Sequence, residues 1–442
     1  MEKNLITEEK MPTLSNGTIR KVKSWPIIGN GFSIYKDSER FFKNCKQEYG
    51  NIFSISILNQ EMTVITESSN FDAFLRKSKS VTTDNFTSNL ASKLLRIPND
   101  IFHKTFRPQV EIFRSCLAKN KLEDYNKRLV DEVITTIEHV KGGHHELYQF
   151  IGEIVFIAGG ASLFSKGIFD KKKYKGFRDY DNASPIIMSG LVPHWLLYRA
   201  NKGFVSLTNA LNDVNKDGFS DLCKKIESQN NDVGLNQKEK GIAQFSLFWA
   251  ANANTVNIAF WAVVRMLDDK EATKNIKKEI SEVNITDIYD QNTLNKLELI
   301  NSLIYEALRC YTGVAMIRDV IEDITIALPD NQAISFNKGD RFCLYPRLSY
   351  INKDNFEKPE QFIYDRFFKK PELYQRMYSW GGGNNICPGR FFAANEIKIM
   401  IFILLKKYDF KLLDKIPPYD TKRLMMPTTC PTKKCRSYIT RT

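Results

Sequence analysis

Histidine is scarce in this sequence, five in 442 residues. His144 and His145 have no third histidine at helical i, i+4 spacing, so with Glu146 they read as a solvated turn after Gly142 and Gly143, not as a metal site. The eight cysteines are irregularly spaced, which argues against the disulfide framework of a small secreted domain and suits reduced thiols in a cytosol-facing protein. Cys430 and Cys435 lack the second pair that a zinc site would need. Also missing are a Gly/Ser-rich or Pro-rich linker, a repeat of fixed period and any low-complexity tract. A length that alone allows about three domains therefore reads as one. The N-terminal stretch through IRKVKSWP is polar and charged, with no apolar run of signal-peptide or spanning length, and the expectation is of a chain without an N-terminal anchor. The apolar stretches 154–164 and 397–405 are too short or too interrupted to span, and read as core helices.

What the sequence does have is apolar and aromatic content, 43% and 12%, enough for a sizeable core. Its net charge of +13 comes from 64 Lys and Arg scattered among 51 carboxylates. Without a basic arm, nucleic acid is not the expected partner. Periodicity predicts an amphipathic helix ending at Gly50, a small sheet from NIFSISI and MTVIT, and mostly helix over 88–265. Helices at 270–283 and 301–310 follow, then short strands near Ile324 and Arg341, a long loop, and a last helix over 390–407. The expected fold class is mainly α with a minor β region: a polar extension over 1–22 and one domain over 23–442.

The long loop reads Trp380-Gly381-Gly382-Gly383-Asn384-Asn385-Ile386-Cys387-Pro388-Gly389-Arg390. A cysteine just ahead of a helix N-terminus is expected to have a lowered thiol pKa. The glycines allow close approach to a flat ligand. A thiolate in such a place suits haem iron, whose electron density it raises. Here the chain resembles the cytochrome P450 superfamily, whose haem loop runs aromatic, two residues, Gly, three residues, Cys, one residue, Gly. Trp380, Gly383, Cys387 and Gly389 match it. Trp380 stands where Phe is usual, and Asn385 where an Arg or His commonly meets a haem propionate.

That resemblance implies a helical layer enclosing haem b, with Cys387 as the axial iron ligand. It extends to Glu306-Ala307-Leu308-Arg309, which matches the family's Glu-x-x-Arg, and to Arg366, which matches the Arg completing a buried network. The stretch 245–267 is apolar nearly all round yet carries Asn252, Asn254 and Thr255 at its centre. Asn254-Thr255 falls on the family's acid-or-amide and Thr pair. A Thr there either relays protons to bound oxygen, back-bonds to its own helix, or does both. Arg318 is the candidate for a haem propionate, and Arg107 a second one whose other reading is a solvated helix charge.

Three strings, WAANANTVNIAFW, IRDVIEDITI with LYPRLSY, and WGGGNNICPGRFFAANEIK, resemble the branch containing cholesterol 7-alpha-hydroxylase, sterol 12-alpha-hydroxylase and prostacyclin synthase. Retention of Thr255 favours a monooxygenase that uses O2 and electrons from NADPH, delivered by a flavoprotein reductase, to hydroxylate a sterol, terpenoid or other lipid. The alternatives are a prostacyclin-synthase-like isomerase of a peroxide or epoxide, and a haem-binding carrier or sensor. Lys369, Lys370, Arg376, Arg390 and Lys398 flank the thiolate loop, where an acidic reductase docks in related enzymes. Residues 184–204, bearing Trp195 between Lys and Arg, either pack inward or dip into a membrane interface. The expected location is the cytosol or the periphery of the endoplasmic reticulum membrane.

Overall fold

The computed structural model describes residues 12–15, 17–58, 60–190, 192–212, 218–329, 331–423 and 426–442. Its spine is the helix Gln237–Asp268, of 32 residues. The Asn236 side chain accepts from the Glu239 N–H while the Glu239 carboxylate accepts from the Asn236 N–H, a capping box that fixes where the helix begins. Among the described residues this is the one helix long and apolar enough to cross a membrane, but 72% of its most apolar stretch is buried in protein. It packs on Leu147–Leu163, Tyr198–Asn212, Glu298–Tyr311 and Arg390–Lys407. Aromatic rings fill the seams. Phe169 stacks on Phe248 with centroids 4.5 Å apart, and Trp261 lies 3.9 Å over Tyr311 while its indole N–H donates to the Thr429 carbonyl at 2.8 Å. Full burial of a large apolar side chain contributes roughly 1.5–3 kcal/mol.

One contact between helices carries a charge question. Gly159 of Leu147–Leu163 has no side chain because Glu396 Oε1 occupies the space: a Cβ there would lie 2.0 Å from it. Glu396 is buried, and its Oε1 has no hydrogen-bond partner among the described residues. Burial pushes its carboxyl well above the usual range. A group raised in the folded state contributes stability that is full below the unfolded carboxylate pKa of about 4.3 and is lost as pH rises through the folded value. Glu396→Gln is therefore expected to raise the urea midpoint at neutral pH and to flatten the fall of that midpoint with rising pH. An unchanged pH dependence in the variant would count against this.

Three small sheets border the helices. The largest runs in the order Ile52–Ile57, Gln60–Ile65, Arg341–Leu344, Met316–Val320, Val81–Thr82. Met316–Val320 is buried on both faces, with Arg318 opposite Phe342. A second sheet takes Thr13–Leu14 against Ala333–Phe336, and Ile19 and Val22 are buried. The described part of the expected N-terminal extension thus holds a paired strand and two buried side chains; residues 1–11 and 16 lie outside the described residues. The third sheet corrects an expectation. Gly143–Glu146 is a strand, pairing antiparallel with Arg436–Arg441, and not a solvated turn.

The two ends of the described chain meet around one carboxylate. Arg347 donates to Glu39 at 2.7 Å and the Tyr419 hydroxyl donates to the same oxygen at 3.1 Å. Burial alone would raise this carboxyl, but Arg347 and Lys43 hold it at about 2. Beside it the Ser38 hydroxyl donates to the Thr421 carbonyl at 2.9 Å.

Candidate active site

A cavity of about 400 Å3 lies between the spine helix, the Met316–Val320 strand and the loop before Arg390–Lys407. Of the sequence-predicted site residues, Asn254, Thr255, Arg318, Trp380, Cys387 and Gly389 all line it. Most of the remaining wall is apolar, including Ala250, Ala251, Leu308 and Phe392.

The loop is held from inside. The Cys387 N–H donates to the Trp380 carbonyl at 2.8 Å, and Arg390 donates to the Cys387 carbonyl at 2.9 Å. The residues after Cys387 turn at once into Arg390–Lys407, so the first N–H groups of that helix face the sulfur. Burial nevertheless pushes the Cys387 thiol up, and the N–H groups of Gly389 and Arg390 with the Arg390 guanidinium only pull it part of the way back. The expectation of a lowered pKa considered the helix terminus and not the apolar walls, which dominate. Gly389 leaves its cavity side open: the nearest atom to a Cβ there would be Leu117 Cδ1 at 4.0 Å.

Gly383 has a different reason to be glycine. It does not line the cavity; its φ is +62° and a Cβ would lie 3.1 Å from the Leu75 carbonyl oxygen. Arg107 does not reach the cavity either. Its exposed side chain pairs with Asp84 at 2.6 Å, so the solvated reading describes it. Asn385 lines the cavity, and its amide donates to the Thr83 hydroxyl at 3.1 Å.

Arg318 is buried among carbonyls, donating to Ile317 at 2.8 Å and Gly382 at 3.3 Å. Among the described residues no carboxylate is within ion-pair distance of it, and burial lowers its pKa. A buried cation without an anion is costly. The donor set therefore fits a haem: one thiol for the iron, apolar walls for the macrocycle, and a guanidinium lacking a counter-ion for a propionate.

Thr255 donates to the Ala251 carbonyl at 2.7 Å while lining the cavity. Its oxygen keeps lone pairs for a second partner. The Asn254 Oδ1 accepts from the Thr428 hydroxyl at 3.1 Å. Thr428 lines the same cavity, and it lies so far along the chain from Asn254 that no local pattern could have flagged it.

Away from the cavity, Glu306, Arg309 and Arg366 are brought together. Arg309 donates to both Glu306 oxygens at 2.8 and 2.7 Å, and to the carbonyls of Tyr350, Pro359 and Gln361 at 2.8–3.0 Å. Arg366 Nε donates to Glu306 at 3.0 Å. Lys369, Lys370 and Arg376 are exposed, with Lys369 paired to Asp365 at 2.8 Å and Lys370 to Glu357 at 3.0 Å. Lys398 is not. It is buried, donates to the Leu294 carbonyl at 2.9 Å, and has its pKa pulled down to about 8 by burial. Trp195, Leu196 and Tyr198 of the 184–204 segment are exposed, as are Trp25, Ile27 and Phe32; Leu191 lies outside the described residues.

A cytochrome P450 family model matches residues 20–212 and 201–434. Among curated proteins, the chain is 25% identical to 7-alpha-hydroxycholest-4-en-3-one 12-alpha-hydroxylase of Homo sapiens, with 96% of this chain and 92% of that relative covered. It is 26% identical to 24-hydroxycholesterol 7-alpha-hydroxylase of Homo sapiens, over 90% and 88%. To cytochrome P450 7A1 of Rattus norvegicus it is 25% identical, over 93% and 90%.

Proposed function

This chain belongs to the cytochrome P450 family, and from that premise we propose that it hydroxylates a sterol or a similarly shaped lipid, using haem b, O2 and electrons passed from NADPH by a flavoprotein reductase. It is an oxidoreductase of the monooxygenase type. The observation that carries the reading is that one apolar cavity holds both the Cys387 thiol and the Asn254-Thr255 pair.

In this reading Cys387 would hold the iron as a thiolate, and Arg318 would meet a propionate. The bound haem supplies O2 activation. The chain's own residues do the rest. The apolar wall excludes water and accepts a lipid, Ala250 and Ala251 leave room beside the spine helix, and the Thr255 hydroxyl holds or passes a proton at its Oγ1. Glu306, Arg309 and Arg366 fix the loop's supporting backbone. The isomerase and the carrier or sensor are the alternatives to be separated by experiment.

The test is turnover. Candidate sterols should be hydroxylated only when NADPH, a reductase and O2 are all present; product formed without the reductase would favour the isomerase. A carbon monoxide difference band of the thiolate type should come first, and one of the histidine type would overturn the assignment of Cys387.

Lys369, Lys370 and Arg376 support docking of an acidic reductase beside the loop. Steering by exposed charges is screened over about 8 Å at physiological salt, so stopped-flow reduction should slow as ionic strength rises. Equal rates at low and high salt would remove this part of the proposal. Exposure of Trp195, Leu196 and Tyr198 supports the membrane-facing reading of that segment over the inward one, with peripheral contact at the endoplasmic reticulum as its setting.

A further inference from the structure

We infer that Tyr148, Asn257 and Thr428 are positioning residues, a one-way chain of hydrogen bonds that engages the Asn254 amide oxygen and leaves its nitrogen donors for the cavity. The inference deepens the monooxygenase reading and rests on it.

The direction of the chain follows from one backbone carbonyl. Asn257 Nδ2 lies 3.0 Å from the Ala253 carbonyl oxygen, which can only accept. That end of the amide must therefore be the nitrogen. Its Oδ1 then faces the Tyr148 hydroxyl at 2.7 Å, and an amide oxygen has no proton to give, so Tyr148 donates. Burial pushes the Tyr148 hydroxyl well up, so it keeps that proton.

The second N–H of Asn257 points at Thr428 Oγ1, 2.9 Å away. Thr428 accepts there, and its single proton goes to Asn254 Oδ1 at 3.1 Å. Reversing either Asn257 link would leave a donor facing a donor, and reversing the last would leave the Thr428 proton with no acceptor among the described residues. Among the described residues the Asn254 nitrogen has no protein partner, and Asn254 lines the cavity.

Both ends of the chain are anchored. Arg178 lies over the Tyr148 ring at 4.8 Å and is itself held by Asp181 at 2.9 Å. The residue after Thr428 is fixed twice: the Thr429 carbonyl accepts from Trp261, and its N–H donates to the Tyr311 carbonyl at 3.1 Å. An asparagine oriented in this way keeps both of its amide N–H donors for the cavity. It selects an oxygen acceptor there, whether bound O2 or an oxygen of the substrate, and it does so without an ionisable group.

Carbon monoxide on the reduced haem-loaded protein is the probe, because its stretching frequency falls when a donor reaches it. Asn254→Leu sets the value without the donor. Thr428→Val should move the infrared band toward that value, and Thr428→Ser should restore it. Tyr148→Phe, outside the cavity wall, should shift it the same way by less, and carries the test alone if Thr428→Val does not retain haem. A stretch unchanged in both Thr428→Val and Tyr148→Phe, with the thiolate-type band intact, would overturn the chain. Loss of thermal stability without a frequency change would do the same. A wild-type protein lacking the thiolate-type band would instead overturn the functional reading beneath it.

Discussion

A Cys387→Ser protein is expected to fold, to lose the thiolate-type carbon monoxide band, and to turn over no faster than haem in solution. The bonds Cys387 makes to the protein explain why folding survives. Its N–H donates to Trp380 and its carbonyl accepts from Arg390, and both are backbone groups that serine retains. The change is nearly isosteric but sets a hydroxyl among apolar walls, so thermal stability should fall by about 1–3 kcal/mol, too little to unfold the protein. What is lost is the soft ligand. A serine hydroxyl does not give up its proton near neutral pH and supplies none of the electron density a thiolate brings to iron. Circular dichroism and the carbon monoxide spectrum, measured on one preparation, separate the two outcomes. Retention of the thiolate-type band by the serine protein would place the ligand on another cysteine.

The second large effect is structural. Arg309→Ala is expected to destabilise the protein by about 3–5 kcal/mol, the cost of removing one partner of a buried ion pair, although Glu306 would keep Arg366 at 3.0 Å. Glu306 and Arg309 are both fully buried, and the substitution would also leave the carbonyls of Tyr350, Pro359 and Gln361 without the donor they share. Against a typical total stability of roughly 5–15 kcal/mol, such a protein would accumulate poorly and load little haem. Arg309→Lys should rescue little, because an ammonium cannot bond a carboxylate through two atoms and three carbonyls at once. Urea titration checks both variants. A loss below about 1 kcal/mol would put the cluster among ordinary surface pairs.

The features readable in the sequence were those with local physical signatures. The helix over 245–267 was legible because it is apolar on every face, and the helix Arg390–Lys407 because a Gly-rich turn precedes it. Asn254 and Thr255 stood out as polar residues where burial penalises them. Lys398 was misread because its charge was counted without its surroundings: its neighbours on that helix, such as Ile397 and Ile399, are core residues. The strand at His144 and His145 was missed because its partner lies near the other end of the chain, beyond any local pattern. Thr428 was missed for the same reason. Cys387 itself was located from its motif, but its thiol is governed by apolar walls that only the fold assembles.

The Glu39 cluster has a consequence for how the chain reaches its final form. Arg347 and Tyr419 come to Glu39 from positions 308 and 380 residues away, and Ser38 meets Thr421 across 383. Contacts at such separations require loops to close before they return any energy, and they make folding slow. Pro427 and Thr428, just beyond Thr421, are part of the cavity wall. The helical bundle can collapse early from contacts nearer in sequence, but the wall is finished only when the distant ends of the chain dock. Haem capture is therefore expected at the last stage of maturation, and a protein stalled before that stage is expected to have most of its helix content and no closed place to hold the cofactor.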